Sequence, residues 1–190
     1  MEGSVNDLAS GAIEVIGTGR FGETLLRRIE QKQTVAKTIW NRGRHIAGGS
    51  GGTNLLVDIL GRRDLFSFPK SVYAVFDAIN AAIGDRRDAL IVDFFAGSGT
   101  TLNAVNLLNA SDSGQRRCIL VTNNEVSAEE AENLRTRGLQ PSDSDWEAVG
   151  ICRLVTWPRS KFTILGRRDD GTALPGDYLT GKKVEKEKAR

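Results

Sequence analysis

The feature that most constrains this chain is a short apolar run that ends in an acid and passes through a glycine turn into a helical pattern. It spans residues 90–101 and reads LIVDFFAGSGTT. This order is typical of a buried parallel strand that leads into the N-terminus of a helix, where α/β proteins bind small ligands. The pattern therefore predicts an α/β fold with a ligand pocket at the end of this strand.

The chemistry of the turn indicates what kind of ligand it binds. Gly97 and Gly99 allow the backbone to approach a ligand that a Cβ atom would hold away. The amides of Gly99, Thr100 and Thr101 begin the helix and suit an anionic group such as a carboxylate. Asp93, at the strand end, can bind a cationic or hydroxylic part of the same ligand. The stretch predicts a cofactor pocket, and a turn without a ligand is the alternative.

A second strand and acid follow further along the chain. Residues 118–122 read CILVT and predict the next buried strand, which Asn123, Asn124 and Glu125 follow. An acid at the end of a second strand can accept hydrogen bonds from both hydroxyls of a ribose. Ser127 is a predicted N-cap, which places Glu125 before the helix and leaves its carboxylate available. The alternative is an acid that merely precedes a helix.

These motifs resemble those of a known enzyme family. The order Asp93-x-Phe95-x-Gly97-x-Gly99-Thr100 is similar to the S-adenosylmethionine motif of DNA methyltransferases that modify the exocyclic amino group of adenine or cytosine. The resemblance extends to the Phe-Pro-Lys segment at residues 68–70, to residues 122–125 and to the Trp-Pro-Arg region at residues 157–159. It covers roughly residues 50–180 and is closest to enzymes of type III-like restriction–modification systems.

The resemblance implies a fold, a cofactor and a set of site residues. The fold is a Rossmann-like S-adenosylmethionine methyltransferase fold, partial and permuted, with a parallel sheet, flanking helices and an N-terminal β-rich appendage. In that family the Phe-Pro-Lys lysine lies near the methionine portion of the cofactor, which assigns Lys70 to its carboxylate; an exposed lysine at a helix start is the alternative. The implied cofactor-binding residues are Phe66, Phe68, Lys70, Asp93, Phe95, Ala96, Gly97, Ser98, Gly99, Thr100, Thr101, Asn124 and Glu125.

The resemblance also divides the chain. Residues 1–60 are predicted to be the end of a target-recognition region, residues 61–180 the partial cofactor-binding domain, and residues 181–190 a flexible tail.

Within the first of these segments, short strands are predicted over 11–17 and 35–40, a charged helix or extended arm over 23–33, and a glycine hinge over 48–52. Basic and aromatic residues in the first segment are candidate DNA contacts, with a solvated basic face as the alternative; they are Arg20, Lys37, Trp40, Arg42 and Arg44.

The catalytic motif of the family has no counterpart in this sequence. Those enzymes use an acidic or amide residue followed by two prolines and an aromatic residue, but the four prolines here are Pro69, Pro141, Pro158 and Pro175, none of them adjacent. We therefore predict no catalytic residue in this chain and no methylation by the chain alone. The strand ending at Asp93 would have an unpaired edge. The implied partners are double-stranded DNA and either a second polypeptide with the catalytic half or a restriction subunit.

The sequence leaves two other functions open. Gly17-x-Gly19-x-x-Gly22 follows an apolar strand and has the form of a dinucleotide fingerprint, which would make the chain an NAD(P)-binding oxidoreductase. Against this, no acid follows at the end of the next apolar stretch to bind a ribose hydroxyl. The second alternative is a non-catalytic DNA-binding remnant that retains the fold without turnover.

Composition and charge exclude several classes. The net charge of +2 permits nucleic-acid binding without arguing for it. Cys118 and Cys152 have no metal-binding spacing, and His45 is the only histidine, so no metal site and no histidine-based catalysis are predicted. No apolar segment resembles a signal peptide or reaches membrane-spanning length, which predicts a cytoplasmic protein without a membrane partner.

Two further elements are predicted after the helix that Ser127 begins. Residues 151–156 are predicted to be a strand, and residues 162–171 a hairpin or an extended loop.

Overall fold

The computed structural model describes residues 8, 12–28, 39, 42–174 and 176–180. The chain separates into two compact units, Met1–Lys37 and Thr38–Arg190. The division between units therefore lies before the domain limit predicted at residue 60. The assignment of residues 1–60 to a target-recognition region stays a prediction.

The described part of the first unit is an antiparallel hairpin. Strand β1 (Ile13–Thr18) pairs with strand β2 (Thr24–Arg28), with a register irregularity between Val15 and Gly17. The strand predicted over 11–17 is thus confirmed from Ile13 onward. Of the segment predicted over 23–33 as a charged helix or an extended arm, residues 24–28 form a strand, so the helical alternative is wrong there. Of the strand predicted over 35–40, only Ile39 is described.

The hairpin also decides the meaning of the first glycine motif. Gly19 and Gly22 lie in the connection between β1 and β2, where the amide of Gly19 donates to the carbonyl of Glu23 at 2.7 Å. A dinucleotide fingerprint requires a strand followed by a helix whose N-terminus faces the pyrophosphate. Here two antiparallel strands flank the glycines, so the NAD(P) alternative lacks the structure on which it depends.

The second unit alternates helices with two strands. After a 3₁₀ turn (Gly43–His45), its elements in chain order are α1 (Thr53–Leu60), α2 (Val72–Ile83), β3 (Leu90–Asp93), α3 (Thr100–Asp112), β4 (Arg117–Leu120), α4 (Ala128–Thr136), α5 (Ser144–Ala148), a π-helical turn (Cys152–Thr156), α6 (Trp157–Leu165) and α7 (Asp177–Thr180). The helices predicted from Thr53 and from Val72 are confirmed. Ser71 caps α2 by accepting from the amide of Tyr73.

Strands β3 and β4 form a small parallel sheet with helices beside it, so the predicted α/β class is confirmed. Leu90 pairs with Arg117 and Asp93 pairs with Leu120. The two strands were predicted to be buried, and one face of each is not. The side chains of Leu90, Val92 and Ile119 are 50%, 42% and 49% exposed. Parallel sheets are normally covered on both faces, but the described residues cover only one face of this one.

The core of the second unit lies among the helices. It includes four residues of α1 and three of α2, together with parts of α3, the π-helical turn and α6; its buried members are Leu55, Leu56, Ile59, Leu60, Val72, Tyr73, Phe76, Ala104, Leu107, Leu108, Val155, Phe162, Leu174 and Tyr178. Because α1 buries its apolar face in this core, residues 53–60 belong to the second unit. A smaller cluster joins α4 to Trp146 of α5.

The glycine hinge predicted over 48–52 is a tightly packed turn at its C-terminal end. Gly51 and Gly52 are buried, and a Cβ atom on Gly51 would lie 2.9 Å from the ring of Tyr73. The amide of Val72 donates to the carbonyl of Gly51 at 2.7 Å. These glycines therefore permit close packing between the start of α1 and the start of α2, and the interpretation as a flexible hinge is wrong there.

The predicted strand over 151–156 is also wrong. Ile151 is helical, and residues 152–156 form the π-helical turn, which continues directly into α6. Val155 and Phe162 are seven residues apart and enter the core together, which is a helical spacing. Pro158 lies at the junction between the π-helical turn and α6, and because proline has no amide hydrogen it leaves one backbone hydrogen bond of this continuous helical segment unmade. Of the hairpin predicted over 162–171, only an isolated antiparallel bridge between Arg167 and Ala173 is present.

The C-terminal end of α3 is held by a buried ion pair. The guanidinium of Arg116 donates to both carboxylate oxygens of Asp112, at 2.9 and 2.8 Å. The Arg116 side chain is almost fully buried. Its hydrogen bonds and charge hold the pKa of Asp112 below the usual value of 3.8.

We predict that Asp112→Asn lowers the free energy of unfolding near neutral pH and that its effect shrinks as the pH falls. The folded-state pKa of Asp112 is depressed, so its contribution is present above 3.8 and is lost as the pH falls through the folded-state value. Urea unfolding of both proteins at about pH 7 and about pH 3 measures the difference. A difference that is the same at both pH values would contradict this account; Glu129→Gln, at an exposed position, is the control.

Candidate functional site

The loop after β3 is closed by Asp93. One carboxylate oxygen accepts from the amide of Phe95 at 3.0 Å, and the other accepts from the hydroxyl of Thr101 at 2.5 Å. The amide of Ala96 donates to the carbonyl of Val121 at 3.1 Å and so ties the loop to the end of β4. Asp93 was predicted to bind a ligand, and the structure gives it contacts that hold the loop.

Two glycines give this loop its shape. Gly97 has φ +49° and Gly99 has φ +75°, which are left-handed conformations that favour glycine. A Cβ atom on Gly97 would lie 3.4 Å from the ring of Phe66. The amide of Gly99 donates to the carbonyl of Ala96 at 2.7 Å and is therefore engaged within the loop. The amides of Thr100 and Thr101 open α3, where intrahelical acceptors are lacking.

A cleft of about 460 Å³ lies where the two strands end. This volume is in the range of small-molecule sites. The cleft is lined by aromatic, apolar and polar residues from the loops that follow both strands, together with one residue before β3 and one at the π-helical turn: Phe66, Phe94, Phe95, Gly97, Val121, Thr122, Asn123, Glu125 and Ile151. Four residues predicted from sequence thus line a single cleft: Phe66, Phe95, Gly97 and Glu125.

Other predicted site residues lie outside the lining of this cleft. Phe68 is 88% exposed with φ +57°, and Lys70 is exposed at the entry to α2. The amide group of Asn124 donates to Glu147 at its backbone carbonyl (2.7 Å) and its carboxylate (2.8 Å), and its oxygen accepts from the amide of Arg153. Asn124 therefore fixes the segment after β4, next to the cleft-lining Asn123 and Glu125.

The side chains of Ser98 and Thr100 are buried on the side of α6. Both accept from Nη1 of Arg159, at 3.1 and 2.8 Å. The hydroxyl of Thr156, in the π-helical turn, donates to the carbonyl of Gly97. Thr156 and Arg159, which lie on one continuous helical segment, thus hold the loop from its buried side. A role for Ser98 and Thr100 in ligand binding stays a prediction.

Five residues that line the cleft were not predicted from the sequence as site residues. Phe94, Val121, Thr122 and Asn123 directly follow the two strand ends, and that position was the signal that could have identified them. Ile151 had no such signal, because its segment was predicted to be a strand. Its amide donates to the carbonyl of Glu125 at 2.8 Å, which brings the π-helical turn to the cleft.

The candidate DNA contacts have different surroundings. Arg20 and Arg42 are exposed, whereas Lys37 and Trp40 lie outside the described residues. The guanidinium of Arg44 donates to both carboxylate oxygens of Asp77, at 2.7 and 2.6 Å, and His45 contacts the same carboxylate. Since the Arg44 side chain is only 12% exposed, this ion pair disfavours its predicted contact with phosphates.

Other chemistry has little support near the cleft. Burial, with a contribution from the charge of Asp93, raises the pKa of the Cys118 thiol to about 11, so this thiol is neutral at physiological pH. Among residues 42–174 and the other described positions, no group of three potential ligands is placed to hold a metal ion. Among the helices of the described chain, none has the length and hydropathy needed to cross a membrane.

Comparison with known proteins gives three relatives. The chain is 42% identical over 90 residues to the type III restriction-modification enzyme EcoPI Mod subunit of Escherichia phage P1, and 38% identical over 93 residues to the type II methyltransferase M.KpnI of Klebsiella pneumoniae. The predicted resemblance to restriction–modification DNA methyltransferases is confirmed. A third relative, the type III restriction-modification enzyme StyLTI Mod subunit of Salmonella typhimurium, is 40% identical over 78 residues.

These matches are partial on both sides. They cover 47%, 49% and 41% of this chain, and 13%, 21% and 12% of the three relatives, in the order given. The chain therefore matches between about an eighth and a fifth of the length of these relatives. No protein-family model matches the chain.

We predict that Thr156→Val loosens the loop at Gly97. The substitution preserves shape but removes the hydroxyl that donates to the Gly97 carbonyl; losing such a bond costs about 1 kcal/mol, and more where the carbonyl stays unsatisfied. Faster hydrogen exchange of the amides at 97–101, measured by mass spectrometry, is the expected result.

Thr163→Val is the matched control. The Thr163 hydroxyl donates only to carbonyls of α6 itself, at Arg159 and Ser160. It should leave exchange in the 97–101 loop unchanged. Equal acceleration by both variants would mean that the Gly97 contact has no special role.

Proposed function

We propose that this chain is the cofactor-binding part of an S-adenosylmethionine-dependent DNA methyltransferase that acts on the exocyclic amino group of adenine or cytosine. One observation carries the proposal. The glycine loop after β3 and the acid after β4 line the same cleft of about 460 Å³, as a ligand with an amino-acid end and a nucleoside end requires. The three restriction–modification relatives support the same assignment.

The residues of the cleft fit such a cofactor. Glu125 is exposed, and its carboxylate can accept from the two ribose hydroxyls. Gly97 lacks a side chain where the chain passes the ligand, and Phe66 and Phe95 offer apolar surface to the adenine. The first-turn amides of α3, together with Lys70, are the proposed contacts of the cofactor carboxylate. When bound, the cofactor supplies an electrophilic methyl group.

The remainder of the enzyme must come from elsewhere. The sequence has no Asp-Pro-Pro-Tyr-like motif, and the uncovered face of β3 and β4 displays Leu90, Val92 and Ile119 to solvent. A two-stranded sheet depends on packing against other elements for its stability, and here one face lacks such a cover among the described residues. We propose that further strands and helices, on a second polypeptide or on another part of a longer chain, cover this face and supply the catalytic residues. Double-stranded DNA is the proposed substrate, and a restriction subunit is a further proposed partner.

The two other functions are weaker. The NAD(P) alternative requires a strand–helix turn at Gly17–Gly22, where the chain forms a hairpin. A non-catalytic DNA-binding remnant is compatible with the exposed Arg20 and Arg42, but it leaves the cleft without a role. Binding of S-adenosylhomocysteine, and not of NADP, distinguishes the first proposal from both.

We predict that the chain binds S-adenosylhomocysteine but not NADP in calorimetry, and that Gly97→Val weakens this binding at least about tenfold. Valine at this φ is strained, and its side chain would meet the Phe66 ring. Gly84→Val is the matched control, because Gly84 ends α2 with φ +57° and has open space around it. Equal losses of affinity for S-adenosylhomocysteine in both variants would indicate general destabilisation. Binding of NADP without binding of S-adenosylhomocysteine would overturn the proposal.

We also predict that the isolated chain transfers no methyl group to DNA. Incubation with tritium-labelled S-adenosylmethionine and mixed-sequence DNA should leave the DNA unlabelled, while ultraviolet cross-linking in the same sample labels the protein. An active DNA amino-methyltransferase is the positive control for the assay. Labelled DNA would show that a complete catalytic centre exists without a second polypeptide, contrary to the proposal.

A further inference from the structure

Arg159 is a buried cation without an acidic partner among the described residues. It is fully buried, at 0% exposure. Nη1 donates to the carbonyl and hydroxyl of Ser98, at 3.3 and 3.1 Å, and to the hydroxyl of Thr100 at 2.8 Å. Nη2 donates to the side-chain oxygen of Asn103 at 3.1 Å. All four acceptors are neutral, and all belong to the glycine loop or to the first turn of α3.

Arg116 is a second buried arginine, and unlike Arg159 it has an acidic partner. Both of its terminal nitrogens donate to the carboxylate of Asp112, so that its charge is neutralised within the fold. A buried charge without such a partner is expensive. Burial lowers the pKa of Arg159 to about 9, which still leaves the guanidinium charged at neutral pH. Arg159 therefore keeps a positive charge that no ion pair among the described residues offsets.

The position of that charge adds to an existing positive potential. Thr100 is the first residue of α3, and the N-terminal end of a helix has a partial positive charge. Arg159 also donates to the carbonyl that precedes Gly99, which polarises the peptide leading into the helix. Asp93 is the acid of this loop, and its two oxygens already accept from Phe95 and Thr101. Two positive sources thus converge on the loop that borders the cleft.

We propose that Arg159 is a positioning residue for the cofactor's amino-acid end: it holds Ser98–Thr100 in shape from the buried side and supplies the positive potential that attracts the cofactor carboxylate. The guanidinium acts through the loop and touches no ligand atom. The inference rests on the proposed function, because the carboxylate that it invokes belongs to the proposed cofactor.

The test compares two probe ligands on the full chain. S-Adenosylhomocysteine has the amino-acid end, and 5′-methylthioadenosine has the same nucleoside without it. We expect Arg159→Met to weaken the first ligand about tenfold more than the second in calorimetry. Arg159→Lys retains the charge but loses the planar fork, so it should show a smaller selective loss. If Arg159→Met does not fold, the same comparison on Arg159→Lys decides.

Arg116→Met is the matched control. It removes a buried arginine at the other end of α3 and should lower thermal stability with equal effects on the two ligands. Equal weakening of both ligands by the Arg159 variants, or no weakening, would overturn the inference while the proposed function stands. Failure of the unmodified chain to bind either ligand would instead overturn the proposed function, and the inference with it.

Discussion

The cleft depends on how one side of the glycine loop is held against the helical segment formed by the π-helical turn and α6. Thr156 and Arg159 donate to the backbone and side chains of this loop from the buried side, while Asp93 closes it from the strand side. Because glycine has no Cβ and adopts many backbone conformations, Gly97 and Gly99 would leave the loop free to move without these contacts. Its shape is therefore set by tertiary hydrogen bonds as much as by its glycines.

The small parallel sheet carries the loops of the cleft and also has an uncovered face. One face of β3 and β4 packs toward the helices, and the other exposes Leu90, Val92 and Ile119. The same strands carry the two loops that line the cleft. The partner proposed above to cover this face would therefore lie against the same two strands that carry the cleft-lining loops.

Local patterns predicted the elements that have strong local signals. The helices from Thr53 and Val72 have helical apolar spacing and clear ends, and β3 and α3 are joined by an unmistakable glycine turn. The segment from Ile151 to Thr156 is apolar and rich in β-branched residues, a composition shared by strands and buried helices. Only its packing between the core and the loop made it helical. Gly51 and Gly52 were misread for a related reason, since sequence does not distinguish a flexible glycine from a tightly packed one.

The sequence alone determined the strand–glycine–helix unit, the acid that follows the next strand and the resemblance to amino-methyltransferases, because each is a pattern of neighbouring residues. Tertiary structure decided which of the predicted residues share a cleft, that Gly17–Gly22 lies in a hairpin, and that Arg159 supports the loop. Those outcomes depend on contacts between segments as distant as residues 98 and 159. Such contacts arise when buried polar groups must find partners, and no local pattern specifies which partners they find.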